Sequence, residues 1–186
     1  DLINVRNFRG FDHCIGQYEA HHVVNGESVY RHAFADIYWS RDYTSALINS
    51  MKAEAALYRS NITDVQHYLP KAQQALNGNL AIYSGEDRDD LLDEDDNIRG
   101  PLAIPILGVA AVYEGLYGSK AKAREFIVEL SATETNSFIT PYVETQKRSW
   151  IAKGYIAIED YPSALLVMSG RDSEAVELLG TLFVNA

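Results

Sequence analysis

Six side chains able to ligate a soft or borderline metal fall early in the chain: His13, Cys14, Glu19, His21, His22 and His32. Zinc needs three or four nitrogen or sulfur ligands converging tetrahedrally, with outer groups that orient them. Nothing here has a recognised zinc spacing. The adjacent pair His21 and His22 would diverge on a strand and lie about 100° apart on a helix. The expectation is a surface or packing group of histidines with no bound metal. A metal-dependent protein or enzyme using His13–His32 is the alternative. Cys14 beside a histidine would make a nucleophile–base pair. A free cysteine is more often a small buried hydrophobe, and its flanks carry no catalytic signature.

Eight acidic residues crowd into Glu86–Asp96, against the single basic Arg88. Since the whole chain carries a formal charge of −10, most of its acidity is this one loop, placed at 84–100. Carboxylate oxygens suit calcium, and Asp93, Asp95 and Asn97 fall at the first, third and fifth positions of a calcium-loop pattern. That pattern needs glycine at its sixth position and a bidentate Glu at its twelfth; Ile98 and Ile104 stand there instead. The run is read as a solvated loop able to touch a basic partner. Such a run repels duplex nucleic acid and anionic membranes, so neither is an expected partner. The basic residues Lys120, Lys122, Arg124, Lys147, Arg148 and Lys153 are read as solvated faces of amphipathic helices, or as receivers of the acidic loop. Phosphate-binding glycine loops, GxSxG, HExxH and paired CxxC are absent, so neither catalysis nor a cofactor is expected. Asn61-Ile62-Thr63 is a glycosylation sequon at an expected helix cap.

The 186 residues, 47% hydrophobic and 23% charged, have ordinary globular composition and can bury a real core. No apolar run approaches the ~20 residues of a membrane span, which reads as a soluble protein. Starting at Asp1, without Met or an apolar leader, the chain is read as a mature product or an excised domain. A single cysteine excludes an internal disulfide and leaves the compartment open.

Residues 1–41 are taken as an irregular N-terminal segment and 42–186 as a helical domain. Asp1–Val5 is apolar enough to pair or dock, and Asn7–Gly16 has turn chemistry. Tyr18–Val24 entering an Asn25-Gly26 hairpin turn competes with a helix over Ser28–Trp39, and the helix is favoured. From Tyr43 to Tyr58, apolar residues recur at three- and four-residue steps. Thr63–Gln66 has the capping-box pattern, and one stripe continues from Val65 to Tyr83 with a kink or restart at Pro70. Pro105 opens a helix over Ile106–Tyr117, and Ala121–Leu130 follows. Thr133–Ser137 connects to a helix opened by Thr140-Pro141 that runs to Ile158. Pro162 restarts the chain after a Glu159–Tyr161 corner, and Arg171–Val184 is the last helix, with Val176, Leu179 and Phe183 inward. No segment after residue 42 reads as a strand. The expected fold is all-α, antiparallel helical hairpins arranged as an irregular repeat-like array or a helix bundle.

Three hairpins share one measure. Ala53 and Val65, Ala111 and Ala123, and Ala152 and Ala164 are each twelve residues apart. The third adds Tyr155 three residues after Ala152, and Met168 four after Ala164. This resembles the tetratricopeptide repeat over about half the chain, although the first members of these pairs are 58 and 41 residues apart and the family repeats near 34. The resemblance implies a protein- or peptide-binding domain, a scaffold or accessory subunit. It implies that Ala152 faces Ala164, and that the opposite side of the helix presents Gln146, Ser149, Lys153 and Ile156 to a concave groove. Lys153 would there hold a partner's carboxylate. Twelve tyrosines and two tryptophans suit binding faces as well as cores.

Overall fold

A computed structural model describes residues 7–32, 35–84, 90–91, 98–134 and 140–169. The chain divides into two compact units, Asp1–Leu102 and Ala103–Ala186. It is mostly helical with a small antiparallel sheet. The expected segments at Asp1–Val5 and Arg171–Val184, and most of the acidic run, lie outside the described residues.

In the first unit, helix α1 (Phe8–His22) leads into strands β1 (Val23–Val24), β2 (Glu27–His32) and β3 (Ala35–Trp39). The favoured helix over Ser28–Trp39 is therefore corrected to two strands, and the turn expected within Asn7–Gly16 to helix. Asn25 and Gly26 adopt φ of 55° and 84°, the left-handed pair that closes a two-residue hairpin. Val29, Tyr30, Ile37, Tyr38 and Trp39 favour the pleated surface that this turn begins. The strand before the turn is only Val23–Val24, because α1 runs as far as His22. Asn7 caps α1, its Oδ1 accepting from the Gly10 N–H at 3.0 Å.

Helices α2 (Arg41–Tyr58) and α3 (Ile62–Leu76) pack as a hairpin. Ser40 caps α2, accepting from the Tyr43 N–H at 3.2 Å while donating to the Asn79 carbonyl at 2.9 Å. Asn61 rather than Thr63 caps α3, because Asn61 Oδ1 reaches the Asp64 N–H at 3.3 Å. Of the kink or restart expected at Pro70, the restart does not occur: α3 runs through it. Pro70 lies on the exposed side of the helix.

Two further strands, β4 (Ile82–Ser84) and β5 (Asp90–Leu91), complete a sheet of order β1-β2-β3-β4-β5, every neighbour antiparallel. They correct the expectation of no strand after residue 42, and they place β5 inside the expected loop. Tyr83 pairs with Tyr38 of β3 and Leu91 of β5; it does not extend the α3 stripe. Three residues have the right alternation for a strand but too little length to oppose a helical reading.

Helix α4 (Arg99–Tyr117) begins seven residues before the expected start and contains Pro105. By length and composition it could cross a membrane, yet 61% of that stretch is buried inside the protein. Helices α5 (Lys120–Ala132), α6 (Thr140–Ala157) and α7 (Tyr161–Met168) follow. Ile104, Ile106, Val109, Ile127 and Leu130 are fully buried in the second unit, each worth about 1.5–3 kcal/mol of apolar transfer. Ala53, Val65, Ala111, Ala123, Ala152 and Ala164, the small residues twelve apart, are all buried.

Candidate functional site

The second unit positions α6 through missing side chains. A Cβ on Gly108 of α4 would collide with the Trp150 ring, and one on Gly115 would lie 2.7 Å from the Ala157 Cβ. A step of seven residues along α4 thus matches a step of seven in the same direction along α6. The two helices run parallel and in contact. On α6 itself, a Cβ on Gly154 would lie 2.9 Å from Ile127 of α5 and 3.3 Å from Ala111 of α4. Glycine suits these places because side chains of the neighbouring helices, above all the Trp150 ring, already fill the space a Cβ would take.

Helix α6 also packs on α5 and α7. Gln146, Ser149, Lys153 and Ile156 lie within an ~80° sector of the helix, and all four are half-buried. The structure brings the four expected residues together on one stripe. Tyr142 belongs to the same stripe, one turn before Gln146, and is 65% exposed. The three- and four-residue steps that located the others extend to Tyr142 as well, so the signal was present in the spacing.

Trp150 is 2% exposed, and the Lys153 Nζ stands 4.4 Å from its ring centroid. A cation over an indole face is attracted by the ring quadrupole. The aromatic therefore orients the ammonium on the stripe. Lys147, with its side chain only 13% exposed, donates to the Thr133 carbonyl at the end of α5 at 2.7 Å. It also lies 3.9 Å from Glu144. Lys120 donates to Glu159 at 2.7 Å and Arg124 to Asp160 at 3.3 Å. Two of the cations expected on solvated faces thus bind the α6–α7 corner. Glu159 holds a φ of 65° there, and Asp160 caps α7 by accepting from the Ser163 N–H at 3.3 Å. The Lys120 hydrogen bond and charge hold the Glu159 carboxyl below its usual range. Hydrogen bonds from Ser163, and then the Arg124 charge, do the same for Asp160.

Among the described residues the histidine group does not converge. His13, Cys14, His21 and His22 are exposed on α1, and Glu19 pairs with Lys52 at 2.7 Å. The His32 side chain lies outside the described residues. Among the described residues no three His, Cys, Asp or Glu side chains form a group that could hold a metal ion. Cys14 is exposed, which corrects its expected burial. Tyr18 hydrogen-bonds Ser28 through their hydroxyls, and the Ser28 N–H donates to Thr44 Oγ1 at 3.0 Å. Burial pushes the Tyr18 hydroxyl above its ordinary pKa, against the Ser28 hydrogen bond, so this network fastens α1 and β2 to α2 with a neutral phenol.

No family model, no curated protein and no solved structure matches the chain.

Proposed function

We propose that the chain is a non-enzymatic helical domain that binds a protein or peptide, as a scaffold or accessory element of a larger assembly, in an irregular tetratricopeptide-like array. The observation that carries this reading is the parallel contact of α4 with α6. In a repeat array the first helices of successive hairpins lie side by side, and the superhelix gives them a shared concave surface. In an up-and-down four-helix bundle the first and third helices sit across a diagonal. The irregular spacing has a matching explanation. Between α3 and α4 the chain adds strands β4 and β5, which the regular repeat lacks.

On this reading the α6 stripe of Gln146, Ser149, Lys153 and Ile156 is the binding face, with Lys153 holding a partner's carboxylate. The acidic run is a second point of attachment, matched to basic groups on a partner protein. Its charge disfavours nucleic acid and anionic membranes. The test uses a stoichiometric partner recovered by affinity capture with the intact chain. Lys153→Ala leaves stability within about 0.5 kcal/mol and weakens that partner's binding at least tenfold. Unchanged affinity removes the α6 face. Chelator is expected to leave thermal unfolding unmoved; a fall of several degrees in EDTA, restored by zinc, would transfer the case to the histidine group.

A further inference from the structure

Helix α7 carries no charged residue on any side. It packs on α6, with Ala164 buried and Val167 and Met168 half-buried beside it. Its other side is exposed. Tyr161 is 48% exposed, Leu165 56% and Leu166 77%, and with the exposed Pro162 they fill one ~140° sector of the helix. An apolar sector that wide is what a helix buries against a neighbour, and a helix apolar all round is ordinarily enclosed.

The chain that follows supplies a matching surface. Residues 170–186 lie outside the described residues, and their sequence is GRDSEAVELLGTLFVNA. Ala175, Leu178, Leu179, Leu182 and Phe183 recur at the three- and four-residue steps of one helical stripe. Glu174, Glu177 and Thr181 fall on the opposite side of the same turns. Residues 170–173 separate this segment from Ser169, the C-cap of α7, and links of about two to eight residues join neighbouring antiparallel helices. As a helix, residues 174–184 rise about 16 Å, against about 12 Å for the eight residues of α7. The uncharged sector gives a charged partner nothing to select. A segment tethered so close has an effective concentration of the order of millimolar, which favours it over a free occupant.

We propose that residues 174–184 form an amphipathic helix that docks antiparallel on α7 and covers Leu165 and Leu166 with its leucine stripe. The proposal does not rest on the reading of the α6 stripe, which lies on another helix.

The experiment is a double-mutant cycle on the full chain, read by thermal unfolding. One block is Leu165→Ser with Leu166→Ser, and the other is Leu178→Ser with Leu179→Ser. Each block is expected to lower the midpoint by at least about 3 °C, and the combined variant to lose clearly less than the sum, because the second block finds the contact already gone. Glu177→Ser, on the opposite side of the stripe, leaves the midpoint in place. A midpoint unmoved by either block, or losses that add, would overturn the proposal. Thiol labelling reads the cover even if a block unfolds the chain. In a Cys14→Ser background, Leu166→Cys should react with iodoacetamide at least about tenfold more slowly than the exposed Cys14 of the wild type, and the Leu178–Leu179 block should restore the rate. Equal rates at the two positions would overturn the proposal. So would a dimer in sedimentation that the Leu165–Leu166 block abolishes, which would assign the face to a second copy.

Discussion

Helices α1 and α2 are joined by long side chains that reach across. Arg59 donates to Asp12 at 2.7 Å and to the Phe8 carbonyl at 3.1 Å, with its guanidinium 4.7 Å from the Phe8 ring centroid. Seven residues back along α2, Lys52 donates to Glu19, seven residues forward along α1. The pair is antiparallel, with Phe11, Ile15, Ile48 and Ala55 buried between. Helices α4 and α6 meet instead through Gly108, Gly115 and Gly154, and they run parallel. Long side chains tolerate error, because a flexible charged group can follow its partner. A glycine contact has nothing to move. The second unit is therefore expected to be the less forgiving of substitution.

The largest effect expected from that difference is at Trp150, which sits against Gly108 and under Lys153. Trp150→Ala should cost about 3–5 kcal/mol, read by denaturant unfolding. It should also weaken partner binding by more than the loss of folded protein explains, since the ammonium loses its support. A cost below 1 kcal/mol would show that α4 and α6 do not depend on this contact. Next come substitutions that add volume. Ala152→Leu and Gly108→Val, both at tightly packed sites, should each cost about 1–3 kcal/mol. A harmless Ala152→Leu would remove the repeat-like packing.

These expectations also explain what was legible in the sequence. The pairs Ala111 and Ala123, and Ala152 and Ala164, are buried because close helix approach demands small residues at fixed intervals, and such intervals survive in a string of letters. Gln146, Ser149, Lys153 and Ile156 share one sector of α6 because they recur at three- and four-residue steps; whether that sector binds a partner is not written in the spacing. The sheet was less visible. Strands β1 and β5 have two residues each, too few for an alternating pattern to show. The Asn25-Gly26 turn was recognisable, yet the helical spacing of Val29, His32, Asp36 and Ile37 competed with it. Hydrogen bonding to β3 and β4 decided the matter, and no local pattern carries that information. The helix start at Arg99 was hidden by Pro105, a residue that marks a first turn more often than an interior.

The crossing charges in the first unit supply the opposite arm of the comparison. Lys52→Ala and Arg59→Ala remove partly exposed ion pairs, which are worth roughly 0.2–1 kcal/mol each. Both should be milder than Ala152→Leu in the same denaturant assay. A loss above 2 kcal/mol in either would mean that α1 relies on its charges as heavily as α6 relies on its glycines.

The smallest effect is expected where the second unit also uses exposed charge, at the corner holding Glu159 and Asp160. Both carboxyls are held below their ordinary pKa, Glu159 by Lys120 and Asp160 by Ser163 and then Arg124. A carboxylate whose folded pKa is depressed binds protons less readily than in the unfolded chain. Its contribution is therefore complete above the unfolded value of about 4 and is lost as pH falls through the lower, folded value. Comparing the wild-type chain with a Lys120→Ala, Arg124→Ala double variant isolates the part owed to the two cations. The thermal midpoints should differ slightly at pH 7, and the difference should close as pH drops below the ordinary carboxylate range. Salt should close it too, because the pairs are exposed and screened within about 3 Å at 1 M ionic strength. A difference that persists at pH 2, or in 1 M salt, would mean that Lys120 and Arg124 act by packing their aliphatic stems. The α5 contact with the corner would then belong with the glycine contacts of α6, and the contrast with α1 would be sharper still.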